Sequence, residues 1–358
     1  MRLFRKKEKN IINTNFYSLS RLFKFKKFDF FHSNAKNALK INMFFTCVKI
    51  IANAIATTPI NIINKNNRVI NDDLIYLLKH KPNSNQTAFD FWQLIAFDLL
   101  LFGNSYIRIN RDRAGEVISL DRLQGDLIEI SDDNNIIEYI YNGKESYREN
   151  ELIHYKMFSF NGLKGIKPID LLLNSFNVSK GLDSFLQSEN LPPILKTPEE
   201  LLQDEQVAEL ANQVNDKLQK TPFVLPAGFE LLLNNSKSIF DNKFAELKKI
   251  SNEEIARFFN IPFGLVGLDG ASQPNVLDTQ NNLFLQQALN PYLRMIEQTT
   301  ENALFSRLEI KNGYRVKFNR NALIYQIDAN ARAIYYDKML SMGIYTIDKI
   351  KELEDLTR

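Results

Sequence analysis

Cysteine occurs once in the 358 residues, at Cys47, which excludes a disulfide framework and any cysteine-ligated zinc or iron–sulfur centre. Histidine occurs three times, at His32, His80 and His154, too scattered for a paired-histidine helix site. No Gly-x-x-x-x-Gly-Lys-Ser/Thr run is present, so the loop that cradles nucleotide phosphates is missing. No Gly-x-Ser-x-Gly elbow marks a serine nucleophile either. Long apolar runs are also lacking. Ile41 to Ile63 is broken by Lys49, Asn53 and Pro59, and Phe89 to Ile107 by Asp90, Asp98 and Gly103, so no membrane-spanning helix is expected. After Arg2, Arg5, Lys6 and Lys7 comes only the polar-interrupted Ile11-Ile12-Asn13-Thr14, not the apolar core of a secretory signal. Synthesis and assembly in a reducing cytoplasm is the expectation.

What is present is an ordinary globular balance, 44% hydrophobic and 24% charged, in a chain long enough for about two domains. The net charge of +3 is unevenly spread. Residues 1–32 carry nine Lys or Arg against two acids, leaving 36 against 40 in the rest. This head segment alternates Phe and Leu with Arg21, Lys24, Lys26 and Lys27, and with Arg2, Arg5, Lys6 and Lys7 upstream. It reads either as a contact for phosphate or an anionic surface, or as a loose tail or an arm packed on a neighbouring subunit.

Periodicity predicts a helix over about 36–57 with Phe44, Phe45, Val48, Ile51, Ala52 and Ile55 on one stripe, ended by Pro59. A hairpin over 60–70 and a short helix near 72–79 follow. The best-marked helix starts at the cap Thr87, with Asp90 three residues on, and stops at Gly103. Strands are expected at 106–109, 117–123, 127–131, 136–141 and 152–155, with a tight turn at Asn142-Gly143, so residues 36–158 read as an α+β domain. Long helices then dominate, from Pro168 and over 197–219, 238–259 and 275–305, the last bent at Pro291. Glu309-Ile310 and 314–318 are expected as strands, and 328–341 and 346–356 as helices.

Candidate chemistry is sparse. Asp112, Asp121 and Asp126 could hold Mg²⁺ for nuclease work, but they sit at turns and strand ends where Asp is expected for local hydrogen bonding. His154 reads as a satisfied structural histidine. The Gly264/Gly267/Gly270 spacing reads as a flexible loop between helices rather than an anion nest. The 27 phenylalanines fall mostly on apolar faces and read as core and interface.

Six collinear segments carry a family resemblance: Cys47-Val-Lys-Ile-Ile-Ala-Asn-Ala-Ile-Ala-Thr-Thr-Pro59; Leu99-Leu-Leu-Phe-Gly-Asn-Ser-Tyr106; Glu151-Leu-Ile-His-Tyr-Lys156; Gly165-Ile-Lys-Pro168; Asn252-Glu-Glu-Ile-Ala-Arg-Phe-Phe-Asn-Ile-Pro262; and Gly343-Ile-Tyr-Thr346. In this order they resemble the portal, or head–tail connector, proteins of long-tailed double-stranded DNA bacteriophages.

The resemblance implies an α+β portal-type subunit assembled as a cyclic ring, typically of twelve copies, at one capsid vertex of the virion. It implies a basic N-terminal arm (1–35), a wing (36–165), a first stem helix (166–190), a clip (191–236) and a second stem helix (237–260). A tunnel loop (261–274), a long wing helix with wing strands (275–327) and a short crown (328–358) complete the division. It places Leu265, Val266, Gly267, Leu268, Asp269, Gly270, Ala271, Ser272 and Gln273 at the DNA channel. It places Phe240, Lys243, Phe244, Glu246, Leu247, Lys248 and Glu254 on the intersubunit stem. The implied partners are double-stranded DNA in the channel, the terminase large subunit, the major capsid and scaffold proteins, and a head–tail adaptor. No cofactor, no metal, no membrane and no catalysis are implied. The competing expectation is a DNA-binding structural protein without sequence preference, acting through the basic arm.

Overall fold

A computed structural model describes residues 35–66, 73–133, 136–187, 194–196, 230–232, 237–268, 274–320 and 329–353. In chain order they form α1 (Asn42–Thr57), β1 (Ile60–Ile63), α2 (Asp73–Lys79), α3 (Ala88–Phe102), β2 (Asn104–Arg111), β3 (Val117–Leu123), β4 (Ile128–Asp133), β5 (Ile136–Tyr141), β6 (Glu145–Arg148) and β7 (Leu152–Lys156). Then come α4 (Leu173–Gln187), β8 (Ile194–Lys196), β9 (Glu230–Leu232), α5 (Lys237–Phe258), α6 (Pro274–Leu283), α7 (Asn290–Leu304), α8 (Arg307–Lys311), β10 (Arg315–Phe318), α9 (Ala329–Ser341) and α10 (Ile347–Leu353). Two compact units result, one of Ala35–Leu172 with the chain from Ile255 onward, the other including Leu173–Glu254.

The larger unit is built on α1 and α3. Phe44, Val48, Ile51 and Ile55 on α1 and Phe91, Ile95 and Leu99 on α3 are all almost fully buried. Each such side chain contributes about 1.5–3 kcal/mol by leaving water. Gln93 Nε2 donates to Asn53 Oδ1 at 2.7 Å, tying the two helices polar side to polar side. Helix α3 begins and ends as its sequence dictates. Thr87 Oγ1 accepts the Asp90 N–H at 3.2 Å, and Gly103 takes a left-handed φ of 69° at the stop. Phe45 departs from the expected stripe and is exposed.

Three small sheets attach to these helices. β2 is the centre of an antiparallel sheet ordered β3-β2-β7, and β5 the centre of one ordered β4-β5-β6. Tyr106, Leu123, Ile128, Tyr139 and Leu152 form a shared core between them. The third is a two-stranded ribbon in which Ile60 pairs with Phe318 and Ile63 with Arg315. β1 is therefore completed from residues about 255 positions later in the chain, not by the local hairpin expected over 60–70. The far arm of that hairpin lies outside the described residues.

One further expectation is corrected, and two expected helices are found interrupted. Residues 307–311 are helical rather than extended, because Ser306 and Glu309 form a reciprocal capping box, with Glu309 Oε2 accepting the Ser306 N–H at 2.7 Å. The long C-terminal helix is irregular one turn before Pro291, where Phe284–Leu289 are wound as a π-helix. Proline has no N–H to give and its ring crowds the preceding turn, which widens there. The helix expected from Pro168 is likewise interrupted, by a single residue at Leu172.

In the smaller unit α4 and α5 run antiparallel. Ser179 and Ser251 share a hydrogen bond at 2.9 Å, and Ser251 also donates to the Ser175 carbonyl at 2.9 Å. Small hydroxyl residues let the two backbones approach. β8 and β9 pair antiparallel, Ile194 with Leu232. The helix expected over 197–219 lies outside the described residues.

Candidate functional site

The second stem-type helix, α5, is one uninterrupted stretch of 22 residues, about 33 Å at 1.5 Å per residue. Phe240, Lys243 and Phe244 lie on its first turns. Lys248 is ion-paired to Asp183, and Glu254 accepts from Ser175 Oγ at 2.8 Å, so both are engaged on α4. Glu246 is exposed, and Val178, Leu247 and Ile250 keep nearly half of their surface in solvent. This hairpin therefore displays apolar side chains on its outside.

Of the residues expected at the channel, Leu265 and Val266 close a 3₁₀ turn over Phe263–Val266, and Gly267 takes φ 73° with its N–H on Gly264 O. Gly264 lies against Gln280 of α6, where a Cβ would fall 1.9 Å from the amide oxygen. The first turn after Pro262 is thus pressed directly onto the helix that follows the loop. Leu268 is partly buried. Asp269, Gly270, Ala271, Ser272 and Gln273 lie outside the described residues, as do Arg2, Arg5, Lys6, Lys7, Arg21, Lys24, Lys26 and Lys27 of the arm.

Two polar clusters hold the larger unit; the first contains His154, satisfied as its sequence setting suggests, and the rest of both was not anticipated. The first joins the segments Gly103-Asn104, His154 and Gly165-Ile166. Asn104 Oδ1 accepts the Gly165 N–H at 2.7 Å and a hydrogen from His154 Nε2 at 3.0 Å, while its Nδ2 donates to the Gly165 carbonyl at 3.0 Å. His154 Nε2 therefore carries the proton and Nδ1 accepts from Tyr139 Oη at 3.3 Å. The ring stacks on Tyr106, with centroids 4.2 Å apart. Burial first, then Lys156 and Lys164, lower its pKa from 6.5 to about 3.

That shift has a pH consequence. Below 6.5 the unfolded chain takes up a proton that the folded one refuses until about 3, so stability falls as the pH drops through this window. The slope reaches about 1.4 kcal/mol per pH unit. Thermal melts of His154→Gln are expected to be lower at pH 7.5 but to fall less steeply between pH 6.5 and 4.5. Parallel slopes for variant and wild type would refute the assignment.

The second cluster is on α7. Glu297 is almost fully buried, yet its Oε1 accepts the Phe318 N–H at 2.8 Å and Arg320 Nη1 at 2.7 Å. One turn on, Glu301 Oε1 accepts the Val316 N–H at 3.0 Å, and burial raises its pKa. Val316 and Phe318 present these N–H groups on the edge of β10 away from β1. Two glutamates at i and i+4 thus stand in for a missing strand. The signal was readable in principle: both acids share a helical face with the buried Leu293, Ile296, Thr300 and Leu304.

The expected alternatives find ordinary partners. Asp112 Oδ1 accepts the N–H groups of Ala114 and Glu116, each at 2.9 Å, and Asp121 Oδ2 accepts from Asn110 at 2.6 Å. Among the described residues no three His, Cys, Asp or Glu are grouped to hold a metal ion, and no helix is long and apolar enough to cross a membrane.

Comparison with known proteins bears on the whole chain. The portal protein of Enterobacteria phage HK97 is 26% identical over 343 residues, covering 90% of this chain and 80% of that one. An HK97-family phage portal protein from Corynebacterium diphtheriae shares the fold with a TM-score of 0.57 at 15% identity, over 83% of this chain and 98% of that structure. The neck of a native gene transfer agent particle, computed with C12 symmetry, gives a TM-score of 0.58 at 19% identity, over 91% and 93%. The family model described as "Phage portal protein" matches residues 42–355. With its fold and nearly its whole length accounted for, this chain belongs to the phage portal protein family.

Proposed function

We propose that copies of this chain close into a ring of about twelve at one capsid vertex, forming the channel that admits double-stranded DNA during packaging and releases it at ejection. The family match over 42–355 is the observation that carries this reading. The α4–α5 hairpin supports it, because Val178, Leu247 and Ile250 keep nearly half of their surface exposed. In the ring this hairpin is the stem, the segment between its helices is the clip that meets the terminase large subunit and later the adaptor, and 261–274 is the tunnel loop. The role is structural, with ATP hydrolysis left to the motor. The basic arm, 1–35, serves as a contact to DNA or to the capsid and scaffold proteins.

A conduit must touch duplex DNA without holding it. Each phosphate neutralised adds salt-dependent affinity, and a ring multiplies every lysine by its copy number. The segment Leu265 to Gln273 contains no Lys or Arg and one acid, Asp269. Class averages of the purified protein by electron microscopy are expected to show closed rings with a central hole; a strictly monomeric protein at all concentrations would overturn the reading. Asp269→Lys together with Gln273→Lys is expected to slow packaging at low salt and to approach the wild-type rate as salt is raised. Unchanged translocation at low salt would refute the slippery-channel argument.

A further inference from the structure

The loop that follows β7 displays aromatic side chains in a way no core requires. Phe160 is 96% exposed and Phe158 is 69% exposed, the former the most exposed large apolar residue of the described chain. Exposed phenylalanine is unremarkable on a floppy tip, but this loop is braced. Ser159 Oγ donates to the Lys164 carbonyl at 2.7 Å, and Asn161 Oδ1 accepts the N–H groups of Leu163 at 3.0 Å and Lys164 at 3.2 Å. Ile166 N–H reaches back to the carbonyls of Met157 and Phe158, each at 3.0 Å. Lys156 Nζ donates to the Gly162 carbonyl. Both ends run into the buried knot of Gly103, Asn104, His154 and Gly165.

Phe158 also sits at φ 42°, a left-handed conformation that a bulky side chain adopts at a cost of about 1–3 kcal/mol. Backbone strain and bracing are thus spent on holding two phenyl rings in water. The rim of the loop is basic: Lys156, Lys164 and Lys167 fall within 156–169 without an acid among them.

An acid-lined counterpart exists on the same chain. Residues 126–151 carry eight acids against two bases. They fold as the sheet β4-β5-β6, in which β4 is an edge strand. Along it Glu129, Asp132 and Asp133 are exposed, and Ile136 at the start of β5 is 63% exposed. Ile136, paired across the strands with Asp133 and with the exposed Glu129 and Glu138 nearby on the same two strands, offers an apolar side chain among carboxylates, which suits a phenylalanine knob with a lysine rim.

We propose that the Phe158–Lys164 loop is a knob between neighbouring copies, seating its two phenylalanines against the acidic β4-β5-β6 sheet of the next copy, with Lys164 and Lys167 over its carboxylates. The proposal rests on the ring reading above and adds the residues of one contact within it. Head-to-tail contacts in a ring need two different, complementary surfaces on each copy, and these two are complementary in both charge and polarity.

The test is assembly measured by mass photometry and electron microscopy against concentration, alongside thermal melts of each variant. Phe160→Asp is expected to melt like the wild type, because the side chain lies in solvent, while the concentration needed for half-assembly rises about tenfold or more. Phe160→Leu should restore most of it. Lys164→Glu with Lys167→Glu should weaken assembly, and adding Asp132→Lys with Asp133→Lys on the same chain should recover it. Rings from Phe160→Asp at wild-type concentrations would overturn the knob. Failure of the charge swap to recover assembly would overturn the sheet as its seat. Absence of rings from the wild type would instead overturn the ring reading itself.

Discussion

Replacing Gly165 by alanine is expected to abolish the folded larger unit, or to lower its stability by more than about 4 kcal/mol. A Cβ there would lie 2.0 Å from the Gly103 carbonyl oxygen and under 3 Å from the backbone O and N of Met157. None of these atoms is the end of a flexible side chain. They belong to the strand pairing that sets Asn104 beside Lys156 and to the bond from Met157 N–H to Gly103 O at 2.8 Å. The clash therefore forces β2 and β7 apart at the point where Asn104 binds Gly165. Gly143→Ala is the control. Unlike Gly165 it takes a positive φ, 66°, and nothing lies within 4 Å of its Cβ position, so it isolates the backbone penalty from the close approach. Its cost should be only about 1–2 kcal/mol, the left-handed penalty alone. Urea or thermal unfolding of the two variants separates them; near-equal losses would show that the close approach is not what confines residue 165 to glycine.

This also explains why two of the six recognisable segments contain a glycine followed by a fixed partner. Gly103-Asn104 and Gly165-Ile166 are the two halves of one buried contact, and in this chain neither glycine leaves room for a side chain. The sequence marks such places locally without revealing that they meet. Most local structure was legible for the same reason that α3 was. Thr87, Asp90 and Gly103 are signals read within one turn of where they act. The 22-residue helix α5 and the tight turn with Asn142 and Gly143 both at positive φ were legible in the same way.

What was not legible was long-range. β1 has a four-residue pattern that any neighbouring strand would satisfy, so a local hairpin was the natural expectation, yet its partner is β10. Residues 307–311 carry an apolar alternation that suggests a strand until Ser306 and Glu309 are recognised as a cap. The exposure of Phe158 and Phe160 was not singled out, because phenylalanines as a class read as core and interface and periodicity contains no sign of exposure. Buried glutamates were missed because charge on a helix is usually solvated.

Those glutamates give the second large effect. Glu297→Ala is expected to cost about 3–5 kcal/mol, because it leaves both the Phe318 N–H and the Arg320 guanidinium without the acceptor they share. The Arg320 side chain is 29% exposed, so water recovers part of its loss and the lower end of the range applies to that half. Phe318 N–H has no such recourse, since the residue is 3% exposed. Glu297→Gln keeps one carbonyl oxygen but turns an amide N–H toward a cation, and should cost roughly half as much. Pairing Glu297→Ala with Arg320→Leu removes both charges, and the double variant should lose less than the sum of the singles by about 1–3 kcal/mol. Amide exchange locates the effect. Because β10 is held by β1 on one edge and by Glu297 and Glu301 on the other, loss of the carboxylate should speed exchange at Val316 and Phe318 before it reaches the α1–α3 core. Uniform acceleration across the unit, or a loss below about 1 kcal/mol, would mean that β1 alone anchors the strand and that the two glutamates are not its second edge.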